Sequence, residues 1–240
     1  MTFLDKLLGR KNKPVQESAT IKRAPRFLRP LTGIQFRRIH DGGGVGIFNL
    51  SSTGIGLKTE DLLEPKSGLT VKGELIIEGT PHSCEINIVH VTGSVAGGFF
   101  VGAPEDIVSA VNRYFQIEME ALSLTPVNQD LLNKDEGTPY WFQGCNNNEL
   151  YLVVSKGNVK NFNLTFFGNY IEGGTGERTR VGFVVEDQRD DIAYKGSSTI
   201  RWEHNPNPKT VEMAVKFIKH VRDIPTEVQT QLLELMSRIT

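Results

Sequence analysis

The chain has 240 residues, 38% of them hydrophobic, which is enough for one or two compact domains with cores of their own. A net charge of -1 excludes a general binder of nucleic-acid polymers, since such proteins need a large uncompensated excess of Lys and Arg. Cys84 and Cys145 are the only cysteines, too few and too far apart for a disulfide framework or a metal cluster, so reduced, buried thiols are expected.

The charge is unevenly spread. Residues 1–40 hold ten Lys and Arg against Asp5 and Glu17, a local excess of +8 that leaves -9 for the rest of the chain. A basic arm on an acidic body points to an anionic partner of limited size, or to a solvated, solubilising end. Within residues 1–13, Phe3, Leu4, Leu7 and Leu8 share one helical face, with Asp5, Lys6, Arg10 and Lys11 around the rest. That pattern suits weak contact with a membrane surface or a protein partner. The plainer reading is a frayed or locally packed terminal helix, because a helix this short is marginal in water. Residues 1–19 thus form a basic amphipathic segment and linker. No apolar run is long enough to span a membrane and the N-terminus lacks the pattern of a secretory signal, so a cytoplasmic location is expected.

The run Lys22-Arg23-Ala24-Pro25-Arg26 comes next. Arginines ahead of a sheet clamp phosphates and stack on purine faces. From Gly33 the period becomes two: Ile34 and Phe36 precede the Asp41-Gly42-Gly43-Gly44 turn, and Val45, Ile47 and Asn49 follow it, so a hairpin is predicted. The polar turn Asn49-Leu50-Ser51-Ser52-Thr53-Gly54 ends in a glycine that lets a ligand approach the backbone, although Asn, Ser and Gly are also the usual residues of tight turns. Further alternation at Leu69, Val71, Leu75 and Ile77, at Cys84, Ile86, Ile88 and His90, and across Phe99 to Val101 predicts several short antiparallel strands. Closure into a small barrel is the simplest way for such a sheet to remove its edges. Pro104, Glu105 and Asp106 then open a helix striped with Ile107, Val111, Tyr114 and Phe115.

Over roughly residues 20–123 these features resemble the PilZ domain family, whose members carry an RxxxR motif followed some tens of residues later by (D/N)xSxxG. Asn49, Ser51 and Gly54 match the second motif at each defined position, and Arg26 matches the second arginine of the first. Lys22 stands where the other arginine would be. The resemblance implies a six-stranded β-barrel followed by a helix, and a binding site for cyclic di-GMP made by Lys22, Arg23, Arg26, Asn49, Ser51 and Gly54. Lys22 supplies a compact charge in place of a planar fork, which weakens phosphate recognition. Arg23 has the fork, but neighbouring positions of an extended arm face opposite sides.

Residues 124–138, with Pro126, Asn128, Asp130, Asn133 and Gly137, read as a linker, and residues 139–240 as a second domain of α+β type. Its strands are predicted at Leu150, Leu152 and Val154, at Phe162, Leu164 and Phe166, at Val181, Phe183 and Val185 after the Gly173-Gly174-Thr175-Gly176 turn, and at Thr199 to Trp202. Two helices follow, one marked by Val211, Ala214, Val215 and Ile218, the other by Val228, Leu232, Leu235, Met236 and Ile239 after Pro225. The last stripe is expected to close over its own sheet. The aromatics Tyr140, Trp141, Phe142, Phe166, Phe167 and Tyr170 either line a pocket or fill the core.

Signals for catalysis are lacking. The five histidines show no metal-ligand spacing, no GxxxxGK[ST] loop occurs, and Glu186, Asp187, Asp190 and Asp191 lack the spacing and central glycine of a calcium loop. The expected molecule is a non-enzymatic, mainly β receptor in which cyclic di-GMP, bound without any further cofactor or metal, signals to a protein partner. The alternative is a non-binding adaptor of the same fold acting through protein contacts in pilus or motility machinery.

Overall fold

The computed structural model describes residues 24–28, 31–128, 130, 132, 134, 136–185 and 199–239. Lys22, Arg23, the segment 1–19 and the acidic stretch from Glu186 to Asp191 lie outside the described residues. What is described is mainly β with four α-helices, arranged as two sheets with a core each. The strands of the first sheet are β1 (Phe27–Leu28), β2 (Ile34–Arg38), β3 (Gly44–Val45), β4 (Ile47–Ser51), β5 (Gly54–Lys58), β6 (Thr70–Ile77), β7 (Thr80–Thr92) and β8 (Val95–Phe100). They lie in the order β1-β4-β5-β8-β7-β6-β2-β3, with antiparallel pairing throughout.

A six-stranded barrel was the sequence expectation; an eight-stranded sheet curled into a half-barrel forms instead. The difference has two physical sources. The apolar run from Val45 to Leu50 is cut at Gly46, whose N–H donates to Asp61 Oδ2 at 2.8 Å and whose carbonyl accepts from Lys58 N–H at 2.8 Å. Those bonds remove Gly46 from the ladder with β2. Its neighbours therefore belong to strands at opposite ends of the order: β3 pairs with β2, and β4 with β5 and β1. The corner is fixed by Arg38, which donates through Nη1 to Asp61 O at 2.7 Å and through Nη2 to Asp41 Oδ2 at 2.8 Å. Asp41 accepts from the Gly43 N–H, which with Arg38 holds its carboxyl below the ordinary range. The second source is β1 itself, an added edge strand of two residues.

Alternation delivers the first core as expected. Ile34, Phe36, Val45, Ile47, Leu50, Val71, Leu75, Ile77, Ile86 and Ile88 are buried, and α1 (Glu105–Tyr114) caps them with Ile107, Val111 and the adjoining Phe115. The short helix α2 (Gln116–Ser123) then serves both cores: Met119 and Leu122 pack on the first, while Ala121 and the following Leu124 belong to the second. Thr125–Pro126, in the stretch read as linker, forms β9.

The second sheet runs β9, β10 (Thr138–Gln143), β11 (Glu149–Ser155), β12 (Asn158–Phe166), β13 (Asn169–Gly173), β14 (Arg180–Val185) and β15 (Thr199–Trp202), neighbours in space as in sequence. Period two turns Phe162, Leu164 and Phe166 toward α3 (Pro208–His220) and α4 (Thr226–Ser237). α3 begins where Asn207 Oδ1 accepts from the Lys209 N–H at 3.0 Å with Pro208 at the first position, a cap worth about 1 kcal/mol. Val228, Leu232, Leu235 and Met236 of α4 are buried, so that stripe does close over its own sheet. Phe142 and Phe166 are core residues, and Trp141 and Tyr170 sit on the opposite face, so the aromatics line no common pocket. Cys84 is buried, whereas Cys145 is exposed, contrary to expectation, because it falls in the β10–β11 turn.

Candidate functional site

The pairing of β1 with β4 decides where the arm and the turn motif meet. Phe27 stands opposite Leu50, and Leu28 opposite Asn49. Phe27 points inward and stacks on Phe115, with ring centroids 4.0 Å apart and planes at 14°. Alternation therefore turns Leu28 to the outer face, and Arg26, exposed and immediately before β1, leads into the end of the pairing nearest Ser51.

Two rows of side chains cross that face. One runs from Ser51 past Gly54 to Phe99 and Asn87; the other runs from Leu28 past Asn49, Gly56 and Gly97 to His90. Each strand adds about 4.8 Å, so the distance from β1 to the strand of Phe99 is roughly 14 Å. Neither row carries a carboxylate. Glycine at three positions leaves the floor bare, and the space above it is tightly used. A Cβ on Gly56 would lie 2.7 Å from Asn49 Nδ2, and one on Gly97 would collide with the His90 ring. Leu28 and Phe99 are exposed hydrophobics at 72% and 46%.

The motif residues divide by role. Ser51 is buried, and its hydroxyl accepts from the Gly54 N–H at 3.1 Å and donates to the Gly54 carbonyl at 3.2 Å, so it closes its own turn. Gly54 is needed sterically, since a Cβ there would lie 2.5 Å from the Gly98 carbonyl oxygen. Asn49 is half-buried, and no hydrogen bond engages its side-chain amide among the described residues. Arg26 is exposed with no ion pair among the described residues. The surface thus offers a guanidinium fork, a side-chain amide, an imidazole and an aromatic face around a glycine floor. Groups of these kinds have the chemistry to hold a flat, anionic, hydrogen-bonding molecule. His90, Phe99, Gly56 and Gly97 escape sequence reasoning because alternation marks them only as strand residues; the Gly97-Gly98 pair beside Phe99 is the one local sign of close backbone approach.

The free edge of β1 faces the second core. Beside it lies a cavity of about 650 Å³ lined by Arg26, Phe27, Tyr114, Glu118, Lys216 and His220, among others. The His220 ring meets Phe27 edge-on at 6.2 Å, so β1 is held between α3 and the first core. Glu118 is only 4% exposed; its Oε1 accepts from Lys216 Nζ at 2.9 Å, and its Oε2 has no partner among the described residues. The Tyr114 hydroxyl, its pKa raised chiefly by burial, donates to the Thr32 carbonyl. Among the described residues no cluster of His, Cys, Asp and Glu could hold a metal ion, and no helix is long and apolar enough to cross a membrane.

No protein-family model matches the chain, and no curated protein matches it. A crystal structure of an uncharacterized Legionella protein is similar at 15% identity over 40% of this chain and 91% of that one, with a TM-score of 0.29. That likeness is too slight to bear on fold or function.

Proposed function

We propose that the chain is a non-enzymatic cyclic di-GMP receptor of the PilZ type. The observation that carries this reading is the β1–β4 register, which brings the end of the arm, directly after Arg26, alongside the segment that holds Asn49, on the sheet that exposes Phe99. In this reading Arg26 pairs with a phosphate or lies on a guanine, Asn49 meets a guanine edge, and Phe99 supplies the opposing flat surface. Ser51 and Gly54 contribute by shaping the turn. Lys22 and Arg23 complete the cationic side from the arm. Taking β3 and β4 as one strand shared across the Gly46 corner leaves seven strands in the first sheet, and setting aside the added edge strand β1 leaves six, the number the resemblance implies.

β1 also supports a route for the signal. Arg26, immediately before it, meets the ligand, and its inward residue Phe27 touches Phe115 and His220, so a pull on the arm is felt by α3. The second sheet and its helices then present the change to a cytoplasmic protein partner, with residues 1–13 available for weak membrane-surface contact.

The test is the Asn49 side-chain amide. Its NMR resonances should shift and saturate on addition of cyclic di-GMP, and Arg26→Ala should move that saturation to ten- to a hundredfold more ligand. An Asn49 amide untouched by saturating ligand would sink the assignment. One observation favours the adaptor alternative: the Ser51 hydroxyl is already consumed in its own turn. Lys22→Arg separates the two readings. A receptor gains a few-fold in affinity, whereas binding that appears only in the variant marks the parent as an adaptor.

A further inference from the structure

A second concave site lies at the far end of the other sheet, where three arginines from separate elements converge. Arg178 precedes β14, Arg180 begins it, and Arg238 caps the end of α4; together with Trp202, Glu203 and His204 they line a cavity of about 240 Å³. Its positive charge is only partly balanced. Arg180 is matched by Glu172, but Arg178 and Arg238 have no ion pair among the described residues. Glu203, the one carboxylate among the named lining residues, accepts from the Asn207 N–H at 3.2 Å. Like charges brought together at a concavity repel, and an anion between them relieves that repulsion.

Arg180 is also fixed in advance. Its Nε and Nη2 donate to Glu172 Oε1, the former at 3.1 Å, and its guanidinium carbon lies 4.2 Å from the centroid of the Trp202 ring. Tyr170 holds both partners: its ring meets Trp202 edge-on at 5.7 Å, and its hydroxyl donates to Glu172 Oε2 at 3.2 Å. Burial foremost, with Glu172 beside it, pushes the Tyr170 hydroxyl up to about 12, so it stays a donor at neutral pH. One edge of the guanidinium is thereby taken and one face covered, leaving Nη1 without a partner among the described residues. A fork held in this way loses little entropy on binding an anion.

We infer that this cavity is a phosphoryl-binding site for a small phosphorylated molecule, gripped by Arg178, Arg180 and Arg238. Phosphate oxygens match planar forks in pairs, and a space of this size holds one phosphoryl group and a few attached atoms. The site is independent of the cyclic di-GMP surface, which lies on the other sheet.

The probes are inorganic phosphate and glycerol phosphate, added to the full chain while the arginine Nε–H resonances are followed by NMR. Saturable shifts of Arg178, Arg180 and Arg238 in the low millimolar range are expected, weakened about tenfold in Arg178→Ala and again in Arg238→Ala. Trp202→Leu keeps every charge and removes the stack, so a several-fold loss there shows that orientation matters beyond net charge. Equal, unsaturating shifts with chloride at matched ionic strength would overturn the site. A phosphoserine peptide that binds far more tightly than free phosphoserine would overturn the small-molecule assignment in favour of a protein partner.

Discussion

Gly56→Ala separates the proposed ligand surface from the fold beneath it. The added Cβ would come within 2.7 Å of Asn49 Nδ2, 3.0 Å of its Cγ and 3.1 Å of its Oδ1, whereas a carbon normally keeps about 3.3 Å or more from such atoms. The obstacle is the end of a flexible side chain, so the amide swings aside and the ladder between β4 and β5 survives. Gly56 is not at a positive φ, so alanine also lowers the entropy of the unfolded chain, offsetting about 0.4–1 kcal/mol. The net stability change is therefore expected within about 1 kcal/mol. Gly54→Ala is the contrast: its Cβ would press to 2.5 Å on the Gly98 carbonyl oxygen, where two paired strands must part, at a cost of about 1–3 kcal/mol. Denaturant midpoints and calorimetric titration with cyclic di-GMP read both quantities. Gly56→Ala should keep its midpoint and lose about tenfold or more in affinity, as expected for a displaced hydrogen-bonding amide. Unaltered affinity in Gly56→Ala would refute the role given to Asn49, and an unaltered midpoint in Gly54→Ala would refute the packing of β5 on β8.

Lys216→Met removes the partner of a buried carboxylate and should lower stability by about 3 kcal/mol, at the low end for buried pairs because Lys216 is partly exposed; adding Glu118→Leu should recover most of it. Equal midpoints for the single variant and the parent would count against that pair as a fastening between α2 and α3. The Cys84 thiol is pushed up to about 11 by burial, so a thiol reagent at pH 8 should modify one group, Cys145, in the native protein and two after denaturation. Modification of both in the native state would contradict the first core. The Asp106 carboxyl is held below its ordinary value, first by the hydrogen bond from His82 at 3.1 Å. Its contribution to stability is present above the unfolded-state value and disappears as pH falls through the lower folded one. His82→Ala should raise the Asp106 midpoint in an NMR titration, and an unchanged midpoint would show the bond to be unimportant.

The alternating strands and amphipathic helices were legible because burial imposes periods of 2 and 3.6 on the sequence. Ile34 and Phe36, Val71 to Ile77, Phe162 to Phe166, and the stripes of α1, α3 and α4 all fall where periodicity places them. The failures lie where a backbone bond or a distant contact decides. Gly46 breaks a strand through a carboxylate fifteen residues away, and β1 is too short to show any period. The candidate ligand surface was half legible. Arg26 and Asn49 were found by motif, but Phe99 and His90 join them only through register, and the turn-closing role of Ser51 needed coordinates. Arg178, Arg180 and Arg238 were invisible together, since Arg238 lies about sixty residues beyond the other two and meets them only through the packing of α4.

Isothermal titration of cyclic di-GMP into the intact chain, run beside Arg26→Ala, bears most directly on the proposed receptor. One saturable heat in the parent, reduced ten- to a hundredfold in affinity when the charged fork is removed, is the expected outcome. No heat in the parent, or identical isotherms for the two proteins, would contradict it.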